Sequence, residues 1–258
     1  MGELIYEVRG TIGFVTLNRP EVRNALTFEM YHQLAKVCRE TSLGGDVKCI
    51  IVSGAGDRAF AAGTDMSQFR DFNSPEDALN YESTIDGVLR DVEMCPVPTI
   101  AAITGACTGG GAAIAAACDI RICDENLKFG FPIARTLGNC LSINNLNRMA
   151  SLLGAGRVLE LILTARLVGA TEAKSSGLVS EVLTDSAAVR DRAIELAELM
   201  AGHAPITMRS TKEALRRLRV DGPSAEGSDL ILDAYMSKDF KEGLEAFLGK
   251  RKPVWKGE

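Results

Sequence analysis

Apolar positions along the first third of the chain alternate between a period of two and a period near 3.6, which predicts short strands interleaved with amphipathic helices. LIYEVRG and TIGFVTLN, filling 4–18, read as two strands of a hairpin. Thr27 is placed to cap a helix over 28–41, with Met30, Leu34 and Val37 on one apolar stripe. VKCIIVSG at 47–54 is a continuous apolar run, as expected of a strand buried on both faces. After it, GAGDRAFAAGTDMSQF reads as a glycine-rich loop, followed by a polar helix over 76–92 and the turn signal CPVPT.

A second buried strand, IAAITG at 100–105, runs into Gly109, Gly110 and Gly111, then a short helix of small residues, AAIAAAC, then a strand, DIRICDE. VKCIIVSG and PTIAAITG lie about 50 residues apart, a spacing compatible with a repeated β-β-α unit. From about 142 onward the pattern turns helical, interrupted by a brief strand, GLVSEVL, at 177–183. Pro205 permits a helix start, and helices over 206–219 and 228–248 complete the chain. The expected organisation is an α/β core over 1–200 with a helical part over 201–258 packed on it.

At 258 residues and 46% apolar content the chain can bury one large core. The N-terminus has no basic start followed by an apolar run, and no apolar stretch approaches the roughly 20 residues of a membrane span. A cytoplasmic location and no membrane partner are expected. The net charge of −5 is dispersed, which argues against a nucleic-acid surface, with KRKPVWKG at 250–257 a local basic exception. Seven cysteines without a CxxC pair and two distant histidines, His32 and His203, predict reduced buried thiols and no metal.

Glycines between a strand and a helix present backbone N–H groups at a positive helix end, a geometry suited to anions. Close packing of helix on sheet accounts for them equally well. A dinucleotide site is the first functional competitor, since GACTGGGA partly matches GxGxxG; but the acidic residue expected about 20 positions on has no clean equivalent near Asp124 and Glu125. AFAAGTDMSQF upstream has the same small-residue character, and two N–H groups from separate loops can converge on one oxyanion.

NRPEVRNALTFEM, AFAAGTDMSQF, PTIAAITGACTGGGAAIAAACDIRI, LILTARLVGATEAKSSGLVSEVL and EGLEAFLGKRKPVWKG, in this order and spacing, resemble the crotonase (enoyl-CoA hydratase/isomerase) family over essentially the whole chain. The resemblance implies a spiral of β-β-α turns with a helical C-terminal part that mediates trimerisation, often two trimers as a hexamer. It implies an acyl-CoA substrate and no other cofactor. By position, the N–H groups of Thr64 and Gly110 would polarise the thioester. Ala62, Thr64, Asp65, Met66 and Ser67 would line the CoA site, with the backbone at Arg23 and Ala25 covering it. Phe247 and Lys250 would meet the nucleotide end, commonly from a neighbouring subunit, while Lys252 and Lys256 fit a solvated basic tail equally well.

Hydratases of this family carry two glutamates, and here those positions hold Ala113 and Ile133. Each such acid or base is typically worth about 10² to 10⁴ in rate. Ordinary hydration is therefore expected to be slow, leaving isomerisation, atypical hydration or thioester hydrolysis, or a silent acyl-CoA-binding protein. Arg135, Asn139, Cys140 and Asn144 bring polarity near the acyl group, with Cys140 expected to be a buried structural thiol. Tyr81, Glu82 and Asp86 are the first acid or base candidates of the 70–93 helix, where facing water is the ordinary expectation. Both histidines are expected at the surface.

Overall fold

A computed structural model describes residues 2–70 and 72–258. The first elements are β1 (Leu4–Arg9), β2 (Ile12–Leu17), α1 (Phe28–Glu40), β3 (Cys49–Gly54), β4 (Ala59–Ala62) and α2 (Pro75–Glu93). Next come β5 (Thr99–Ile103), β6 (Ala106–Thr108), α3 (Gly110–Ala117), β7 (Ile120–Asp124), β8 (Lys128–Gly130) and α4 (Ile133–Thr136). The remainder comprises α5 (Ile143–Leu153), α6 (Ala155–Thr164), α7 (Ala170–Ser175), β9 (Glu181–Leu183), α8 (Ser186–Ala201), α9 (Pro205–Asp221), α10 (Ser228–Tyr235) and α11 (Lys238–Leu248).

The strands form two sheets. One has six strands in the order β1-β2-β3-β5-β7-β9, with β1 and β2 antiparallel and the rest parallel; the other is a parallel trio, β4-β6-β8. From β3 to α4 each turn of the spiral therefore places one strand in the large sheet, the next in the small sheet, and a helix after it. Gly105 (φ +60°) makes the corner between β5 and β6, where a side chain would meet the Arg58 carbonyl oxygen at 2.3 Å. The expected α/β class and β-β-α repeat hold. Large-sheet strands start at 49, 99 and 120, so the 50-residue period does not persist: α3 is far shorter than α2.

Both faces of the large sheet are covered, which explains its nearly continuous apolar strands. Val15, Ile50, Val52, Ala101 and Ile103 join the main core with α1, α2 and α3. Ile12, Ile51, Ile100 and Ile122 pack instead on Val189, Ala193 and Ala197, one stripe of α8. The Thr27 hydroxyl caps α1 by accepting the Met30 N–H at 3.3 Å. Cys38 rather than the half-buried Val37 completes the α1 stripe.

Four expectations are corrected. The loop read across GAGDRAFAAGTDMSQF contains β4 and a 3-10 turn at Met66–Phe69, because its small alanines fit the narrow second sheet. The helix expected over 228–248 breaks before Ser237, whose hydroxyl accepts the Phe240 N–H at 2.9 Å and starts α11. The strand read over 177–183 pairs only from Glu181, and a short helix, α4, was not anticipated at Ile133–Thr136. Lys212 of α9 ties the C-terminal helices to the preceding fold through the Cys95 and Val97 carbonyls, at 2.8 and 2.9 Å, and Asp119 at 2.6 Å. Among the described residues, no helix is long and apolar enough to cross a membrane.

Candidate active site

Parallel pairing of β4 with β6 sets Ala62 opposite Thr108, so the segments leaving the two strands emerge side by side. One begins at Gly63 (φ +104°), the other at Gly109 (φ +53°), and a side chain on Gly109 would touch the Gly63 Cα at 3.4 Å. Leu26 clamps the first segment from both sides: its N–H donates to the Gly63 carbonyl and its carbonyl accepts the Asp65 N–H, each at 2.8 Å. Gly109 donates to the Gly130 carbonyl at 3.0 Å, fixing the second. Among the described residues, the Thr64 N–H has no hydrogen-bond acceptor, and the Gly110 N–H heads α3, where no carbonyl of the same helix can reach it.

Both residues line a cavity of about 300 Å³, walled elsewhere by Phe69, Tyr81, Ala113, Phe131 and Ile133, with Glu82 its one carboxylate among the described residues. Thus the two positions that the resemblance assigns to glutamates, Ala113 and Ile133, present a methyl group and a sec-butyl side chain. Behind the loops runs a chain of hydroxyls: Tyr31 Oη lies 2.9 Å from Thr64 Oγ1, which lies 3.1 Å from Tyr81 Oη. Burial pushes both phenols above their ordinary pKa. They remain neutral.

Half-buried Glu82 sits one helical turn before Asp86. Burial, then the like charge of Asp86, raises the Glu82 carboxyl above the ordinary carboxylate value, partly offset by the nearby Ser142 backbone N–H. Asp86 is held by the Ser142 hydroxyl at 2.6 Å and the Asn144 amide at 2.8 Å. The water-facing expectation for Tyr81 and Glu82 is overturned, since both line the cavity, while Asp86 is half-buried outside it; helical periodicity alone does not show what packs against the polar side of α2.

Of the sequence-derived positions, Ala62, Thr64, Met66 and Gly110 line the cavity, whereas Arg23, Ala25, Asp65 and Ser67 do not. The Arg23 carbonyl accepts the Ala62 N–H at 3.0 Å, which places the 23–25 segment beside β4. Asp65 is occupied by Ser67, whose N–H and hydroxyl donate at 3.0 and 2.7 Å, and by Arg19 at 2.9 Å; these hold its carboxyl below the ordinary value. Phe247 is 82% exposed and lines a separate groove between α9, α10 and α11, so one chain does not bring Phe247 to the cavity. Lys250, just past α11, is not a lining residue either. Asn139 lines the cavity, Arg135 is exposed, and both histidines are exposed as expected.

Cys140 is exposed, contrary to expectation, because the turn before α5 leaves the core; the other six cysteines are buried and unpaired. A thiol-specific reagent is expected to label one cysteine rapidly in the native protein and the rest only on unfolding. Mass mapping to any residue but Cys140 would contradict the fold of this turn. Sequence reasoning missed Tyr31, Phe69, Phe131 and Asn145. Only Tyr31 carried a signal, a phenol on the apolar stripe of α1 that requires a buried partner.

A spiral of β-β-α turns with glycine loops facing an apolar cavity defines the class of protein. Residues 7–258 match the family model described as Enoyl-CoA hydratase/isomerase. The chain is 32% identical over 255 residues to a short-chain-enoyl-CoA hydratase of Clostridium acetobutylicum, covering 98% of this chain and 97% of that protein. It is 33% identical over 257 residues to the (E)-benzylidenesuccinyl-CoA hydratase of Thauera aromatica, covering 97% and 98%. The crystal structure of an enoyl-CoA hydratase from Bacillus anthracis superposes with a TM-score of 0.87 at 32% identity, covering 100% of both chains. The chain belongs to the enoyl-CoA hydratase/isomerase, or crotonase, family and is an enzyme of that type.

Proposed function

We propose that this enzyme shifts a double bond within an acyl-CoA by proton transfer through one carboxylate, Glu82. The N–H groups of Thr64 and Gly110 hold the thioester oxygen. Negative charge develops there as Glu82 removes a proton from the α-carbon, between the carbonyl and the double bond, forming a dienolate. Return of the same proton to another carbon of the dienolate completes an isomerisation that consumes nothing else. Hydration asks for more, because a water must be held and deprotonated while the α-carbon is protonated.

The observation that carries this reading is the cavity wall: Glu82 is present while Ala113 and Ile133 offer no second acid or base. A carboxyl raised above its ordinary value is better matched to carbon-proton transfer near neutral pH. The reading predicts that a 3-enoyl-CoA is isomerised while crotonyl-CoA is hydrated at least about 100-fold more slowly, the order expected for one missing acid or base. Following both substrates by thioester absorbance, with free thiol as a check for hydrolysis, decides it. Comparable rates, predominant thiol release, or binding without turnover would each overturn it. A trimeric or hexameric assembly, placing Phe247 and Lys250 of one subunit at the CoA of the next, belongs to the same proposal; a stable monomer in light scattering would remove it.

A further inference from the structure

One polar side chain of the cavity wall has no part in that chemistry. Asn145, only 4% exposed, stands in the first turn of α5 and lines the cavity. Its Oδ1 accepts Nη1 of Arg148 at 3.2 Å. A guanidinium only donates, so this contact fixes which end of the amide is the oxygen. Arg148 is itself locked, with Nε and Nη2 on the two Glu93 oxygens at 2.7 and 2.8 Å, and Glu93 also takes Arg219 at 2.6 Å. Rotating the amide would turn its NH₂ toward a cation that offers no acceptor.

Asn145 Nδ2 donates to no protein atom among the described residues, yet it is not among their enclosed, partnerless polar atoms. The cavity is the open space that Asn145 borders. Leaving such a donor unmatched in a ligand-filled site is costly, so a well-fitting ligand brings an acceptor there. Around it Ala113, Phe131, Ile133 and Leu141 form no hydrogen bonds to a ligand through their side chains, and Glu82 is close by because both flank Ser142: the Asn145 N–H donates to the Ser142 hydroxyl at 3.1 Å.

We infer that Asn145 is a specificity-determining residue that binds an uncharged oxygen, hydroxyl or keto, carried on the acyl chain in addition to the thioester oxygen. An acyl carboxylate is disfavoured by Glu82 and Asp86. This inference rests on the acyl-CoA reading of the cavity. Titration calorimetry with butyryl-CoA, 3-hydroxybutyryl-CoA and 4-hydroxybutyryl-CoA tests it in the full-length protein. At least one hydroxylated ligand is expected to bind about tenfold more tightly than butyryl-CoA, in line with one well-formed buried hydrogen bond.

The Asn145→Leu variant keeps the size of the side chain, leaves Arg148 on Glu93 and offers a ligand neither a donor nor an acceptor. It is expected to abolish that preference, bringing the hydroxylated ligands to within about threefold of butyryl-CoA. Equal affinities in the unmodified protein, or a preference that survives in Asn145→Leu, would overturn the inference, and the first comparison needs no variant. Failure to bind any of the three ligands is a different result, which overturns the acyl-CoA reading itself.

Discussion

Glu82→Gln is expected to lower kcat for double-bond isomerisation by about 10² to 10⁴, the usual worth of a positioned acid or base, with ligand affinity nearly unchanged. Glutamine keeps the size of the side chain but cannot shuttle a proton. The fold should not suffer. Burial and Asp86 both disfavour the charged carboxylate, so a neutral amide relieves an unfavourable interaction, and the melting temperature at neutral pH is expected to stay level or rise. A loss of activity accompanied by a large fall in melting temperature would point to a structural role instead.

The same carboxyl sets a pH dependence. Glu82 acts first as a base, so activity requires its deprotonated form and declines as pH falls through its pKa. Because that pKa is raised, the acid limb of kcat/KM should lie above the ordinary carboxylate range, which centres near 4.3. Residual activity of Glu82→Gln should lack this limb. A limb that persists unchanged in the variant would assign the titration to another group and remove Glu82 from the proton-transfer step.

The two glycine loops were legible in the sequence because their determinants are local: small residues flanking glycines after strands, repeated at two places. Their convergence was not legible from periodicity, since it depends on β4 pairing with β6, and β4 is a four-residue run of Ala and Phe without alternation. Periodicity did find α1, α2 and the buried strands, whose apolar positions are set by a single packing direction. The working side of the cavity was harder to read. Tyr81 and Glu82 look like ordinary solvated residues of a polar helix, and only the tertiary placement of α2 against the α4 to α5 turn encloses them. Asn145 is harder still, because its orientation is set by Arg148, then by Glu93 on a different helix, then by Arg219 from the C-terminal part.

Gly110→Ala should damage both activity and stability, for one geometric reason. A side chain at this position would lie 1.8 Å from Tyr31 Oη and 3.1 Å from Thr64 Oγ1. Tyr31 is fully buried, so its ring has no free space to yield, and either its hydroxyl or the first turn of α3 must move. Moving the hydroxyl breaks the bond to Thr64; moving α3 carries the Gly110 N–H away from its partner loop. Both routes spoil the pair of donors, and loss of one such donor typically costs about 10² to 10³ in kcat. Overpacking should also cost about 1–3 kcal/mol of stability. Adding Tyr31→Phe removes the clashing oxygen and leaves the ring carbon beneath it at a tight 3.1 Å, so the double variant should recover part of both losses. If Gly110→Ala retains activity within about threefold of the unmodified enzyme, its N–H is not one of the donors of the site. If the double variant is no better than the single one, Tyr31 is not what makes glycine necessary there.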